Sequence, residues 1–579
     1  MNTIMKPNKI LTIALYAWFL CSFFSACSFM DGNVPQATLS EEQVRDPKQV
    51  ENMVISAYAV FISAEDINSS FSMWNFDVRS DDAYKGGNGT SDGDVFHQLE
   101  ISQGVLTTNW NINDMWVRLY NALSRTNAAI DVLLEMDESY KLKEQRLGEM
   151  YFLRAYGHFL LKRLYKNIPF VIKPNMTQDE YNKLSNTEYS NDEGWQVIAN
   201  DLIYAFNALP QTQVEKGRPT KAAAAALLAK VYLYKAYRQD NPNTHQVTSI
   251  NEEDLKQVIK YTDPSLYAGY DLEPDLHNNF RPEPQYENGR ESIWAMQYSM
   301  NDGTKNGNCN WSYGLIVPNI PGVTDGGCDF YKPSQNLVNA FHTDDAGLPL
   351  LDSYNQTDWK LSDNADPRLW LTVGVPGFPY MFNPNYMMAK TMTWSRSNGL
   401  YGYYVSLKHN VDPDTEYLIK GAWWGSPMNR IVLRYADVLL MRAEAEAQLG
   451  TDLGDAISLV NRLRSRAAQS TAMLDGYDIQ YGAHMLVKPY PGSYGKEETL
   501  ERVKMERRLE LAMESERFFD LVRWGEAEKV INKYYAEEAD NCAIYSEAHF
   551  TANKNEYLPI PFSQISASNG HYTQNIGGW

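Results

Sequence analysis

Apolar residues recur at three- and four-residue steps in several long stretches of the chain, and these stretches fall into pairs. Residues 115–133, with Met115, Leu119 and Ala122, predict one helix, and 147–164 predict its antiparallel partner, because this spacing lines up apolar side chains on one face of a 3.6-residue turn. Residues 195–209 and 222–237 make a second pair, with Pro219 near the start of the latter and a five-alanine run that lets helices approach closely. Residues 431–449 and 455–468, parted by Gly450 and Gly454, make a third, and 498–516 with 518–533 a fourth. The pairs are irregularly spaced, so they do not form a strict sequence repeat. Between 262 and 429 the helical period gives way to Gly, Pro, Asn and aromatic residues with short apolar runs. The expected fold class is mainly α. Four helix pairs of tetratricopeptide-like type form a scaffold over about 40–262 and 430–535, and a loop-rich insertion over about 263–429 carries short strands. Loops on such a scaffold are where binding residues usually sit.

The N-terminus has a different texture. Lys6 and Lys9 precede an apolar run from Ile10 to Leu20, too short to span a bilayer and flanked like a secretory signal. Phe24-Ser25-Ala26-Cys27 then places small residues before a cysteine, as in a lipobox, although Phe24 stands where Leu is usual. Residues 1–26 are read as a lipoprotein signal peptide and Cys27 as the lipidation site, leaving 27–579 as a single domain anchored to a membrane by acyl chains. An ordinary signal peptide with an incidental cysteine is the alternative. Cys309 and Cys328 are the nearest pair in an exported chain, either as a disulfide or as two thiols.

Composition narrows the chemistry. The 579 residues carry 52 Lys+Arg against 72 Asp+Glu, a net charge of −20, which argues against nucleic acid, because phosphate recognition needs a cationic surface. Tyr outnumbers Phe, 38 to 21, while mean hydropathy is −0.46, so rings at a wet surface or interface are expected beside those of the core. The nine histidines are scattered and no HExxH pair occurs, so no metal site or cofactor is expected. The Asp302-Gly-Thr-Lys-Asn306-Gly stretch begins like a calcium loop but has Tyr313 where the bidentate Glu belongs. A Walker A loop and a nucleotide fingerprint are missing.

Several stretches together resemble the SusD/RagB family of outer-membrane nutrient-binding lipoproteins, nearly end to end. They are Cys27-Ser-Phe-Met-Asp31, Phe152-Leu-Arg-Ala-Tyr156, Gly217-Arg-Pro-Thr-Lys221 and Arg434-Tyr-Ala-Asp-Val-Leu-Leu-Met-Arg-Ala-Glu444, followed by Glu506-Arg-Arg-Leu-Glu510, Glu514-Ser-Glu-Arg-Phe-Phe-Asp-Leu-Val-Arg-Trp524 and Leu558-Pro-Ile-Pro561. The final Gln574-Asn-Ile-Gly-Gly-Trp579 departs from the family's usual ending, which bears on packing of the tail. The resemblance implies a cell-surface protein, anchored in the outer membrane, that captures oligosaccharides or polysaccharides and delivers them to a SusC-like TonB-dependent transporter, on which it sits as a lid. Some relatives handle peptides.

The charged residues of these motifs, among them Arg434, Asp437, Glu444, Glu506, Arg507, Glu510 and Arg523, alternate in sign at helical steps. They read as scaffold ion pairs rather than catalytic carboxylates. A sugar offers an apolar face and a rim of hydroxyls, so its site needs aromatic rings beside Asp, Asn or Arg. In the family the N-terminal and central loops flank the same scaffold. On that basis Asp66, Asn68, Asp92 and Trp110 are expected to face Cys328, Tyr331 and Arg396, with a cystine offering an apolar contact if it forms, and Trp311 or Trp394 as alternative platforms. The competing reading is a lipid-anchored degradative enzyme such as a glycoside hydrolase, whose paired carboxylates a sequence does not reveal.

Overall fold

A computed structural model describes residues 45–62, 77–303, 308–310, 313–390, 394–420 and 424–579. Asp66, Asn68, Cys27 and Trp311 lie outside the described residues. The helical scaffold expected from the sequence is present. Helices α1 (Pro47–Ile62), α2 (Asp94–Glu100), α3 (Trp110–Glu135), α4 (Lys143–Tyr165), α5 (Asn191–Ala208), α6 (Lys221–Ala236) and α7 (Glu252–Tyr261) come before the insertion. Helices α8 (Tyr435–Leu449), α9 (Leu453–Gln469), α10 (Lys496–Glu510), α11 (Arg517–Trp524) and α12 (Ala527–Glu538) follow it. Consecutive helices from α3 to α7 pack side by side, and α8 joins the two halves by resting on both α7 and α10.

Local chemistry fixes the ends and spacings of these helices. Ser190 and Glu193 form a reciprocal capping box at the start of α5, and Thr220 caps α6 through the Ala223 N–H. Ala222 to Ala226 are all buried, which lets α6 lie deep among its neighbours. Gly157 brings α4 close to α3, because a Cβ there would lie 2.9 Å from Leu123 Cδ2. Arg154 on α4 grips Asp201 on α5 through two bonds of 2.7 Å, a bidentate pair that sets their register. One apolar cluster runs through the scaffold, from Val54 and Leu119 to Ile531 and Ile560, and a second lies beneath the insertion around Leu337, Trp370 and Leu509.

The expected helix over 498–516 ends early, at Glu510. Met513 and Ser515 take left-handed backbone angles, φ 61° and 69°, with no glycine to signal the break. Tertiary bonds hold this turn. The Ser515 N–H donates to Asp77 Oδ2 at 2.8 Å, and Glu514 accepts from Arg434 Nε at 2.8 Å and Lys408 Nζ at 2.7 Å.

The motif charges build a buried lattice between helices and insertion. Glu510 accepts from Arg368 Nη1 at 2.9 Å, Arg434 Nη1 at 2.6 Å and Arg466 Nη2. Glu506 also takes Arg368 at 2.7 Å, and Glu444 holds Arg523 and the Trp524 Nε1–H. Burial alone would raise the Glu510 carboxyl, but Arg466, Arg434 and Arg368 hold it well below the usual range.

Candidate functional site

The site is assembled by a short strand pair that joins segments almost 250 residues apart in sequence. Strand β1 (Ala83–Gly86) runs antiparallel to strand β3 (Phe330–Pro333), with Tyr84 opposite Lys332 and Gly86 opposite Phe330. A second pair, β2 (Ser292–Met296) with β4 (Arg430–Arg434), ties the insertion to the scaffold at the entry to α8. Past β1 the chain makes a tight glycine-rich loop. Gly87 has φ 74°, and the Phe330 ring occupies the space its side chain would need, so only glycine fits. Lys85 organises the loop from below. It is fully buried, and its ammonium donates to the carbonyls of Gly86 (2.9 Å), Gly89 (2.9 Å) and Asp92 (2.7 Å), while its own N–H reaches Glu100 Oε1 at 2.7 Å. Burial lowers the Lys85 pKa, and Glu100 and Asp92 oppose that effect.

This loop delivers Asp92 to Arg396. The Nη1–Oδ2 distance is 3.4 Å, with about a third of each side chain exposed (34% and 33%). Cys328 lies within reach of both, its thiol pushed up by burial and pulled back by Arg396. Asp329 is buried and pairs with Lys332 Nζ at 2.8 Å, and the Arg396 backbone rests against its carboxylate. Asn109 caps α3 by accepting from the Asn111 N–H at 2.9 Å, which fixes Trp110 as the first residue of the helix. Trp110 meets Phe96 edge-on, centroids 6.0 Å apart, and keeps 52% of its surface exposed. The exposed indole is linked to the Asp92 loop through Phe96, whose ring lies 2.9 Å from where a Gly93 side chain would begin. An ion pair as open as Asp92–Arg396 is worth no more than about 1 kcal/mol, so incoming hydroxyls can replace it.

Residues 290–579 match the family described as "SusD family", and residues 28–233 match one described as "Starch-binding associating with outer membrane". The chain belongs to the SusD family. The SusD-like protein P2 of Formosa agariphila is 25% identical over 482 residues, 81% of each chain. The fold is similar to that of a solved laminarin-binding SusD-like protein (TM-score 0.63, 22% identity, 92% of this chain and 99% of that one). It is also similar to surface glycan-binding protein A from Bacteroides fluxus (TM-score 0.65, 22% identity, 92% and 99%).

In this SusD-family chain the expected residues divide. Asp92, Cys328 and Arg396 come together and Trp110 adjoins them across Phe96, whereas Tyr331 does not belong to the surface. Tyr331 is fully buried, with a left-handed backbone (φ 54°), and its hydroxyl donates to Asp77; pairing of β1 with β3 turns it inward. Trp394 is also core, 8% exposed and packed edge-on against Tyr380. Cys309 and Cys328 are two separate buried thiols and form no bridge. Cys309 Sγ turns to the Ser299 carbonyl at 3.1 Å, while Cys328 Sγ lies 3.8 Å from the Gly326 carbonyl. Sequence reasoning missed Lys85, which nothing local distinguishes from a surface lysine. It also missed the half-buried Trp424, whose Nε1–H donates to the Asp325 carbonyl at 3.2 Å, three residues from Cys328. Among the described residues no group of three or more His, Cys, Asp or Glu side chains is placed to hold a metal ion, and no helix is long and apolar enough to cross a membrane.

A wide groove between α10, α12 and residues 351–354 offers a contrasting surface. Its rings are covered: Lys504 lies 4.9 Å over Trp524 and Arg508 lies 5.2 Å from Tyr354. Glu and Lys side chains line much of the rest together with Leu351, Leu500 and Val530, and the remaining ring, Tyr534, is buried, so the groove gives a sugar no open ring face to stack on.

Proposed function

We propose that this protein is a non-catalytic glycan-binding lipoprotein of the cell surface. The reading rests on one observation above the others: an exposed Trp110 is joined through Phe96 to the loop that carries the weak, half-open Asp92–Arg396 pair, on a rigid helical scaffold. A sugar's apolar face stacks on the indole, while its hydroxyls donate to Asp92 and accept from Arg396. Cys328 supplies a small, polarisable contact at the floor. Family membership and the names of the relatives support the same class of ligand. Of the two solved relatives named above, one is described as laminarin-binding and the other as a surface glycan-binding protein.

Lipidation at Cys27 anchors the chain at the outer membrane facing outward, and residues 27–579 act as one unit. The captured oligosaccharide passes to a SusC-like TonB-dependent transporter that this protein covers as a lid. Co-purification from native membranes in detergent tests the partnership, and a transporter that never accompanies the protein overturns it. The alternative of a lipid-anchored hydrolase needs a pair of accessible carboxylates flanking a sugar. The motif carboxylates Glu506, Glu510 and Glu444 are instead buried in bonds to arginine. Incubation with bound oligosaccharides followed by a reducing-end assay decides between them: no new reducing ends are expected, and steady release establishes the enzyme.

A further inference from the structure

The charges around the cluster carry the reading further, to the class of glycan. We propose that the site takes uncharged oligosaccharides and discriminates against uronic-acid and sulfated chains. This inference rests on the glycan-binding reading above and narrows it.

Among the described residues, the cations of the cluster face the protein's own acceptors. Lys85 has three donors, and three carbonyls of its own loop take them. Lys332 is buried against both oxygens of Asp329, at 2.9 and 2.8 Å. Arg396 reaches the surface, and it faces Asp92. Lys420, over the Trp424 ring at 5.9 Å, lies close enough to Asp414 for its charge to act on that carboxylate. Lys420 is exposed, and Asp92 is as open as Arg396. Two further anions are exposed: Asp94, the first residue of α2 and two residues from Asp92, and Asp325, three residues before Cys328. The whole chain adds a background of −20.

Hydrogen-bond chemistry sharpens the contrast. A hydroxyl both donates and accepts, so a neutral sugar can satisfy Asp92 and Arg396 at once. A carboxylate or sulfate only accepts. It could satisfy Arg396, but it would give Asp92 no donor beyond the Asn88 N–H that the carboxylate already accepts at 2.8 Å, and it would set a negative charge near Asp92 and Asp94. Inside a partly desolvated contact that repulsion is not fully screened.

The test uses matched pairs of polysaccharide fragments: laminarin and laminarin sulfate, neutral and sulfated galactan, and methyl-esterified and de-esterified galacturonan. Binding of the full mature chain to each is measured at about 50 and about 500 mM NaCl. The expected result is that the strongest binder is uncharged and that its charged counterpart binds at least about tenfold more weakly. The neutral ligand's Kd changes by less than about twofold with salt, and Asp92→Asn narrows the gap within the pair. A charged member that binds as tightly as its neutral counterpart, or more tightly, overturns this inference and leaves the glycan-binding reading in place. No binding to any neutral or charged glycan, on a wider array as well, overturns the glycan-binding reading and this inference with it.

Discussion

Replacing Glu510 by Gln tests whether the motif carboxylates are scaffold. Glu510 is fully buried and accepts from three arginines, at 2.9 Å from Arg368, 2.6 Å from Arg434 and from Arg466. Those arginines keep other partners: Arg368 has Asp366 and Glu506, while Arg434 and Arg466 share Glu291. The substitution therefore leaves three guanidinium groups close together, short of one negative charge, and turns an amide NH₂ toward one of them. Breaking a buried ion network from one side costs about 3–5 kcal/mol. Unfolding entropy of about 2.1 cal/mol/K per residue converts this, for a chain of 579 residues, to a fall in Tm of roughly 2.5–4 °C. Differential scanning calorimetry at neutral pH, with circular dichroism to confirm retained helix, measures it. A Glu510→Gln protein that melts within about 1 °C of wild type refutes the reasoning. If the variant also lost a hydrolytic activity, the carboxylate would be catalytic.

Three further perturbations probe other parts of the account. Burial pushes the Glu538 carboxyl up to about 7, against the hydrogen bonds from Tyr84 and Asn541, so its contribution to stability is complete below the unfolded value near 4.5 and is lost as pH rises through 7. Glu538→Gln should therefore flatten the fall in unfolding free energy between about pH 4.5 and 7 by up to about 3 kcal/mol, and an unchanged slope contradicts the assignment. Lys85→Met leaves three loop carbonyls without their donor, so glycan affinity should fall by about 1–2 kcal/mol in calorimetry, and wild-type affinity would show that the loop holds its shape unaided. Cys27→Ser should shift the protein from membrane to soluble fractions when the transporter is absent, since acyl chains contribute about 0.8 kcal/mol per buried CH₂; retention in membranes would place the anchor elsewhere.

The scaffold was legible because its helices carry the 3.6-residue apolar period, as in Leu119, Leu123 and Leu133, which are buried along one side of α3. The break after Glu510 was not, because Met513 and Ser515 adopt their left-handed angles only through bonds to residues as distant as Asp77. Site residues followed the same division. Asp92 and Arg396 were identifiable as polar groups in turn-rich segments, and the β1–β3 pairing in which Tyr331 is buried is long-range. Trp110 was read as part of a loop and is the first residue of a helix, a boundary that Asn109, as a capping residue, marks. Lys85 owes its role to burial under Phe330 and Tyr401, which no local pattern announces.

The most direct test of the account is isothermal titration of the best-binding oligosaccharide from a glycan array into wild type, Trp110→Ala and Arg396→Ala, with thermal melts of each. The account predicts a wild-type Kd between about 1 μM and 1 mM and a loss of about 1–3 kcal/mol, or roughly 5- to 150-fold, in either variant. Melting temperatures should stay within about 1 °C of wild type, since both side chains are at the surface. Wild-type affinity in Trp110→Ala would contradict it and move the binding surface away from the Asp92–Arg396 cluster.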